Sequence, residues 1–188
     1  MPTILKHYGT CLVCCGVIAF AAGCATMRCQ SIPSTAVTRN QYFEARLTPT
    51  GDGRGFQSFK LEIENKTQSN LELDWSRTLF IADNQTRGGF MSEGILYNAK
   101  DSPRLVAMDV IFTDTTFSRT IWPSTLAYFV SGRYGGWRHG YMGRVSGGEY
   151  GVLLSVKTNG EEHQKKLTVR IVQEGSPQVK EEIPVVIP

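Results

Sequence analysis

The segment from Gly132 to Arg144 (GRYGGWRHGYMGR) gathers side chains suited to holding a ligand. Arg133, Arg138 and Arg144 supply guanidinium forks that match phosphate or carboxylate oxygens. Tyr134, Trp137 and Tyr141 supply ring faces that stack on flat or apolar surfaces. His139 adds an imidazole, and the segment holds no acid. Its glycines leave backbone N–H groups open to approach. Two readings fit this composition: a contact surface for a glycan or an anionic ligand, or a long loop between two strands in which glycines serve turns and Trp137 caps the core.

The other candidates for chemistry are poorer. After the N-terminal region the histidines are His139 and His163, too far apart in sequence for metal-ligand spacing with each other or with a cysteine. No G-x-S-x-G elbow accompanies them, and His163, among Glu161, Glu162, Lys165 and Lys166, reads as a solvated residue of a charged connection. Cys11, Cys14 and Cys15 lie inside an apolar run and act there as small apolar residues. Gly51-Asp52-Gly53 has too few oxygen ligands for a calcium loop and reads as a turn. The expectation is a protein that is not an enzyme and carries no metal or cofactor. A net charge of +3 with no long Lys/Arg run points away from nucleic acid.

These residues must be positioned by what surrounds them, beginning with the N-terminus. Met1 to Thr10 contains Lys6 and no acid, and Cys11 to Ala22 (CLVCCGVIAFAA) is uncharged and apolar. Small residues and Cys24 follow, the layout of an export signal. Ala21-Ala22-Gly23-Cys24 resembles the lipobox of bacterial lipoproteins, although Ala21 stands where Leu is commonest. The resemblance implies a signal peptide over 1–23 and attachment of lipid to Cys24, which becomes the new N-terminus. It also implies a place in the cell envelope, at the periplasmic face of the outer membrane in a Gram-negative cell, since Ala25 and not Asp follows the cysteine. Several acyl chains would hold the protein stably, where one is marginal. The alternatives are an uncleaved N-terminal helix, as the weakly polar stretch from Tyr8 to Met27 has the length of a membrane span, and cleavage without lipid. With Cys24 in a thioether, Cys29 remains as a single thiol in a polar tether over 24–40, either free or bridging two chains.

From residue 41 to 188 the chain reads as one domain of strands and turns, with no internal repeat. Tyr42 to Leu47 is a first strand. Phe59, Leu61 and Ile63 alternate with Lys60, Glu62 and Glu64. After a turn at Asn65–Asn70, Leu71, Leu73 and Trp75 alternate with Glu72 and Asp74, which predicts an antiparallel pair with Trp75 in the core and Asp74 solvated. Leu79–Ala82, Gly94–Tyr97, Leu105–Phe112, Thr120–Trp122 and Leu126–Val130 are further strand candidates. The clearest hairpin sets Tyr150, Val152, Leu154 and Val156 against Leu167, Val169 and Ile171, with Asn159-Gly160 in a connection expected to extend to Lys166. Val179–Ile187, interrupted by Pro184, suits an edge strand or a frayed tail. No segment after the signal has helical periodicity with caps. The fold class is all-β, an immunoglobulin-like antiparallel sandwich in preference to a closed barrel.

Asn65-Lys66-Thr67 through Leu71-Glu72-Leu73-Asp74-Trp75-Ser76, with Gly136-Trp137-Arg138 later, resembles a group of uncharacterised bacterial lipoproteins with a single immunoglobulin-like domain. The resemblance spans about residues 57 to 172. It implies fold and export and supplies no catalytic residues. The reading is a membrane-anchored, non-catalytic envelope module whose partner is a protein met at a strand edge or loop end, the alternative being a glycan or anionic ligand held by 132–144.

Overall fold

The computed structural model describes residues 28–52, 55–92, 107–133, 135–143 and 147–173. The segment 1–23 expected to be an export signal, Cys24, Gly94–Tyr97, Val179–Ile187, Tyr134 and Arg144 lie outside the described residues. Within them the strands are β1 (Cys29–Ile32), β2 (Ala36–Arg39), β3 (Phe43–Gly51), β4 (Phe56–Asn65), β5 (Leu71–Asp74), β6 (Leu79–Ala82), β7 (Gln85–Thr86), β8 (Phe90–Ser92), β9 (Met108–Ile111), β10 (Thr116–Pro123), β11 (Ala127–Val130), β12 (Gly136–His139), β13 (Gly148–Thr158) and β14 (Glu161–Gln173). A single 3-10 turn at Ser124–Leu126 is the helical element among them, and no helix of the described residues is long and apolar enough to cross a membrane.

The architecture is all-β and antiparallel, in two main sheets that share one buried core. One sheet runs β1-β14-β13-β5-β9, with β6 also on β13 and β7 on β6; the other runs β2-β3-β4-β10-β8; β11 and β12 make a separate two-stranded sheet. Strand side chains alternate between faces, so each sheet turns a set of apolar residues inward. Leu71, Leu73, Phe80, Val152, Leu154, Val156, Leu167, Val169 and Ile171 come from the first sheet. Ala45, Leu47, Phe59, Leu61, Ile63, Phe90 and Ile121 come from the second. Phe80 meets Phe59 at 6.5 Å and Phe90 edge-on at 6.0 Å, ring contacts that cross between the sheets. Burial at this scale, about 25 cal/mol for each Å² of apolar surface, is what holds the layers together. Trp75 belongs to the core, as its alternation with Leu71 and Leu73 predicts.

A charged clasp joins the sheets at one side of that core. Asp109 on β9 accepts from Trp75 Nε1 at 2.6 Å, and Arg119 on β10 donates to both carboxylate oxygens. The guanidinium lies 5.1 Å from the Phe117 ring centre. Paired and hydrogen-bonded in this way, the two charges tolerate their half-buried position.

Four expectations are corrected. The tether over 24–40 is strand from Cys29 to Ile32 and from Ala36 to Arg39: β1 pairs with β14 and β2 with β3, the chain changing sheets between them around a cis Ile32–Pro33 peptide. Cys29, a free thiol, is half-buried and packs against the core. Small residues conceal these strands, because what they bury includes Ser31 and Ala36 in place of large aliphatics.

Second, β4 and β5 are not a pair. β4 lies between β3 and β10, and β5 between β13 and β9, so the turn after Asn65 carries the chain across the sandwich. Asn65 makes this crossing possible. Its buried amide nitrogen donates to the carbonyls of Ser69 (2.8 Å), Ile111 (3.1 Å) and Phe112 (3.2 Å), and its oxygen accepts from Thr67 N and Oγ1.

Third, Asp74 is buried. It ends β5 and accepts from Ser76 N and Oγ and from Lys157 Nζ, bonds that draw its carboxyl below the ordinary value, Ser76 most and Lys157 next.

Fourth, β13 and β14 are joined by only Asn159-Gly160, both in the left-handed region (φ 51° and 81°), the geometry of a tight hairpin turn. The charged residues expected in a long connection belong to β14. His163 stacks on Tyr42 at 4.2 Å, and its Nε2 is buried without a hydrogen-bond partner.

Candidate functional site: the hairpin end of the sandwich

The two ends of the sandwich are built differently. At the end where β3 gives way to β4 and β10 finishes, the chain passes through the 3-10 turn at Ser124–Leu126 into the β11–β12 hairpin. It returns through Met142, which bridges to Phe56 and is buried in the core. Ser124 is fixed to Gly89 by two bonds to its carbonyl, and Gly140 N donates to Leu126 O, so the hairpin stands on an ordered base.

The segment 132–144 is therefore not one long loop. Gly136–His139 is strand β12, paired in the register Ala127–His139, Tyr128–Arg138, Phe129–Trp137 and Val130–Gly136. Residues directly opposite share a face of an antiparallel ribbon. One face carries Phe129, Trp137 and His139, and the other carries Tyr128, Val130 and Arg138. Phe129 and Trp137 meet edge to face at 5.7 Å. His139 stacks on Trp122 of β10 at 5.0 Å and 15°, while Gln57 Nε2 donates to the His139 carbonyl at 3.4 Å. These contacts attach the base of the hairpin to the outer face of the second sheet.

Burial lowers the His139 pKa from its ordinary 6.5, and Nδ1 has no hydrogen-bond partner. An imidazole in this setting supports the hairpin as a neutral stacked ring. Tyr141 is drawn the other way, its hydroxyl donating to Asp52 at 2.7 Å in the β3–β4 turn. Arg133 and Arg138 are both exposed, Arg133 in the turn between the strands and Arg138 on β12. The structure thus unites Trp137, Arg138 and His139 on one strand with Arg133 at its tip, and ties the Tyr141 hydroxyl to Asp52. Tyr134 and Arg144 lie outside the described residues.

The large exposed apolar side chains among the described residues of the hairpin lie on β11, outside 132–144. Tyr128 is 56% exposed, Phe129 45% and Val130 39%. Large apolar side chains exposed on both faces of a projecting element are the kind of surface that interaction sites use. The pattern Ala-Tyr-Phe-Val, a glycine-rich turn, then Gly-Trp-Arg-His is a hairpin signature, but the exceptional glycine density of 132–144 draws the eye to its second half alone. Trp137 does not cap the core; it packs on Phe129.

Among the described residues no group of three His, Cys, Asp or Glu side chains is placed to hold a metal ion. No protein-family model matches the chain, and no curated protein or solved structure matches it.

Proposed function

We propose that the chain is an envelope lipoprotein carried on Cys24, with an immunoglobulin-like sandwich that serves as a non-catalytic recognition module and uses the β11–β12 hairpin as its contact element. The observation that carries this reading is the hairpin itself: it lies outside both core sheets and exposes Tyr128, Phe129 and Val130 beside Arg133 and Arg138. The buried Trp75 and a first strand that changes sheets between β1 and β2 support the immunoglobulin-like assignment. The anchor is supported by the apolar run that ends in Ala21-Ala22-Gly23-Cys24.

Anchor and contact element are tested separately. The intact mass of the protein from its own cells should show a start at Cys24 plus acyl chains; a start at an unmodified Met1 overturns the anchor. A photo-crosslinker at position 129 of the full-length protein in those cells should form an adduct with an envelope component, with position 60 on the outer face of β4 as the control. Adducts no more abundant at 129 than at 60 overturn the hairpin as contact element.

A second reading is favoured by β9. This edge strand exposes Met108 (55%) and Val110 (49%), with Phe112 (62%) just beyond its end. An extended segment of a protein partner can add to such an edge through backbone bonds. Val110→Lys should then abolish a protein adduct formed from this side, and an adduct indifferent to the change removes that reading.

A further inference from the structure

We infer that the partner of the β11–β12 hairpin is the anionic surface of the bilayer that holds the anchor. The inference rests on the lipoprotein reading above and adds where the domain points and what it touches.

The first support is position. β1 begins at Cys29, so only residues 25 to 28 separate it from Cys24. At about 3.6 Å per residue the extended chain can hold Cys29 no farther than about 18 Å from a lipidated Cys24. A tether over 24–40 would have let the domain roam; this leash keeps one end of the sandwich beside the membrane. That end is the hairpin end. Cys29 pairs with Gln173, and Ser31 with Ile171. Gly143, four residues past β12, sits so close to Ile171 that a Cβ there would lie 2.7 Å from its side chain. The start of β1 and the foot of the hairpin thus flank the same stretch of β14.

The second support is charge. No Asp or Glu occurs between Asp114 and Glu149, a stretch that includes Arg119, Arg133, Arg138 and Arg144. Of these, Arg133 and Arg138 are exposed on the hairpin. Basic side chains beside an anionic leaflet each contribute roughly 1 kcal/mol of attraction.

The third support is the kind of surface the hairpin offers. Tyr and Trp favour the headgroup level of a bilayer, with Phe and aliphatic side chains reaching below it. Phe129 and Trp137 on one face of the hairpin and Tyr128 and Val130 on the other provide both kinds of side chain, with Arg138 on the second face and Arg133 at the turn. A neutral glycan would be served by a flat ring platform and by carboxylates or amides to accept its hydroxyl protons. Here Phe129 and Trp137 meet edge to face, interplanar angle 73°, and the charged groups of the hairpin are donors only. An acceptor-rich, anionic surface matches both features.

The test uses the mature protein isolated from its cells and reconstituted in vesicles of phosphatidylcholine alone or mixed with phosphatidylglycerol, with brominated acyl chains as the quencher. Tryptophan fluorescence should be quenched in the mixed vesicles, and this quenching should disappear in Trp137→Phe. In Arg133→Ala/Arg138→Ala it should fall to the level seen with phosphatidylcholine alone. Trp75 and Trp122, one in the core and one under His139, are common to all these proteins. Equal quenching in wild type and Trp137→Phe overturns the inference. So does fluorescence that ignores the bilayer but responds to added envelope oligosaccharide, or a crosslink from position 129 to protein alone. The intact mass reports on the anchor independently, so loss of the hairpin result with acylated Cys24 present leaves the lipoprotein reading standing.

Discussion

The two ends of the sandwich spend their side chains in opposite ways. The end far from the hairpin is closed by short polar residues that satisfy backbone. Asn65 serves three carbonyls and Thr67, while Asn40 Oδ1 accepts from the backbone of Tyr42 and Phe43. Glu44, nearly inaccessible, is surrounded by Arg39, Arg46 and Lys66. The hairpin end does the reverse, holding a neutral stacked histidine at its base and exposing rings and arginines beyond it. One end consumes its hydrogen-bonding capacity internally to fix topology. The other presents apolar and cationic side chains at the surface.

That contrast can be broken most forcibly at Asn65. Asn65→Ala strips the crossing turn of its amide and leaves buried carbonyls unpaired, and should lower the stability by about 3 kcal/mol in a urea titration. A loss near zero would mean that the far end is not held by this side chain. Gly160→Ala acts at the same end through backbone alone: φ is 81° and the space around it is open, so the expected cost is about 1 kcal/mol.

Acid sharpens the comparison further. Hydrogen bonds from Lys66 above all, then from Arg39, push the Glu44 carboxyl down to about 2 from an ordinary 4.5. Between these values the unfolded chain takes up a proton that the folded one refuses, so stability falls as pH drops through that window. Asp74 and Glu162 are lowered as well, by Ser76 and Gln164 in first place, and act in the same direction. Glu44→Gln should therefore reduce, without removing, the slope of stability against pH between about 4.5 and 2; an unaltered slope would show that the cations around Glu44 do not hold it charged. At the other end the smallest effect is expected. Tyr128→Ser removes an exposed ring outside the core and should leave the stability within about 0.5 kcal/mol, measured by thermal unfolding. A substantial loss would make the hairpin a structural brace and not a contact element.

Alternation of apolar and polar residues was enough to read the strand content, the buried Trp75 and the β13–β14 hairpin, because period two reports directly which face is wet. It does not report which strand lies alongside. Phe59–Ile63 and Leu71–Trp75 look like partners across a short turn, yet a side-chain amide able to bridge both sheets sends them apart. β1 and β2 were hidden because an edge strand that buries Ser31 and Ala36 has almost no hydropathy signal. For the candidate site, Arg133, Trp137, Arg138 and His139 stood out by composition. Tyr128, Phe129 and Val130 did not, since an apolar strand gives no sign in its own sequence that it will be left outside the core. Trp122 was legible as strand, but its role under His139 depends on a contact between distant parts of the chain.

The pairing of Cys29 with Gln173 has a mechanical consequence. The described chain enters and leaves the first sheet on neighbouring antiparallel strands at the same end. Tension applied between residues 29 and 173 would thus open the β1–β14 ladder one rung at a time, like a zipper, and would not shear all its hydrogen bonds together. Under a pull directed this way, β1 is the first strand to peel, a low-force event that single-molecule stretching would detect before the rest of the sandwich yields.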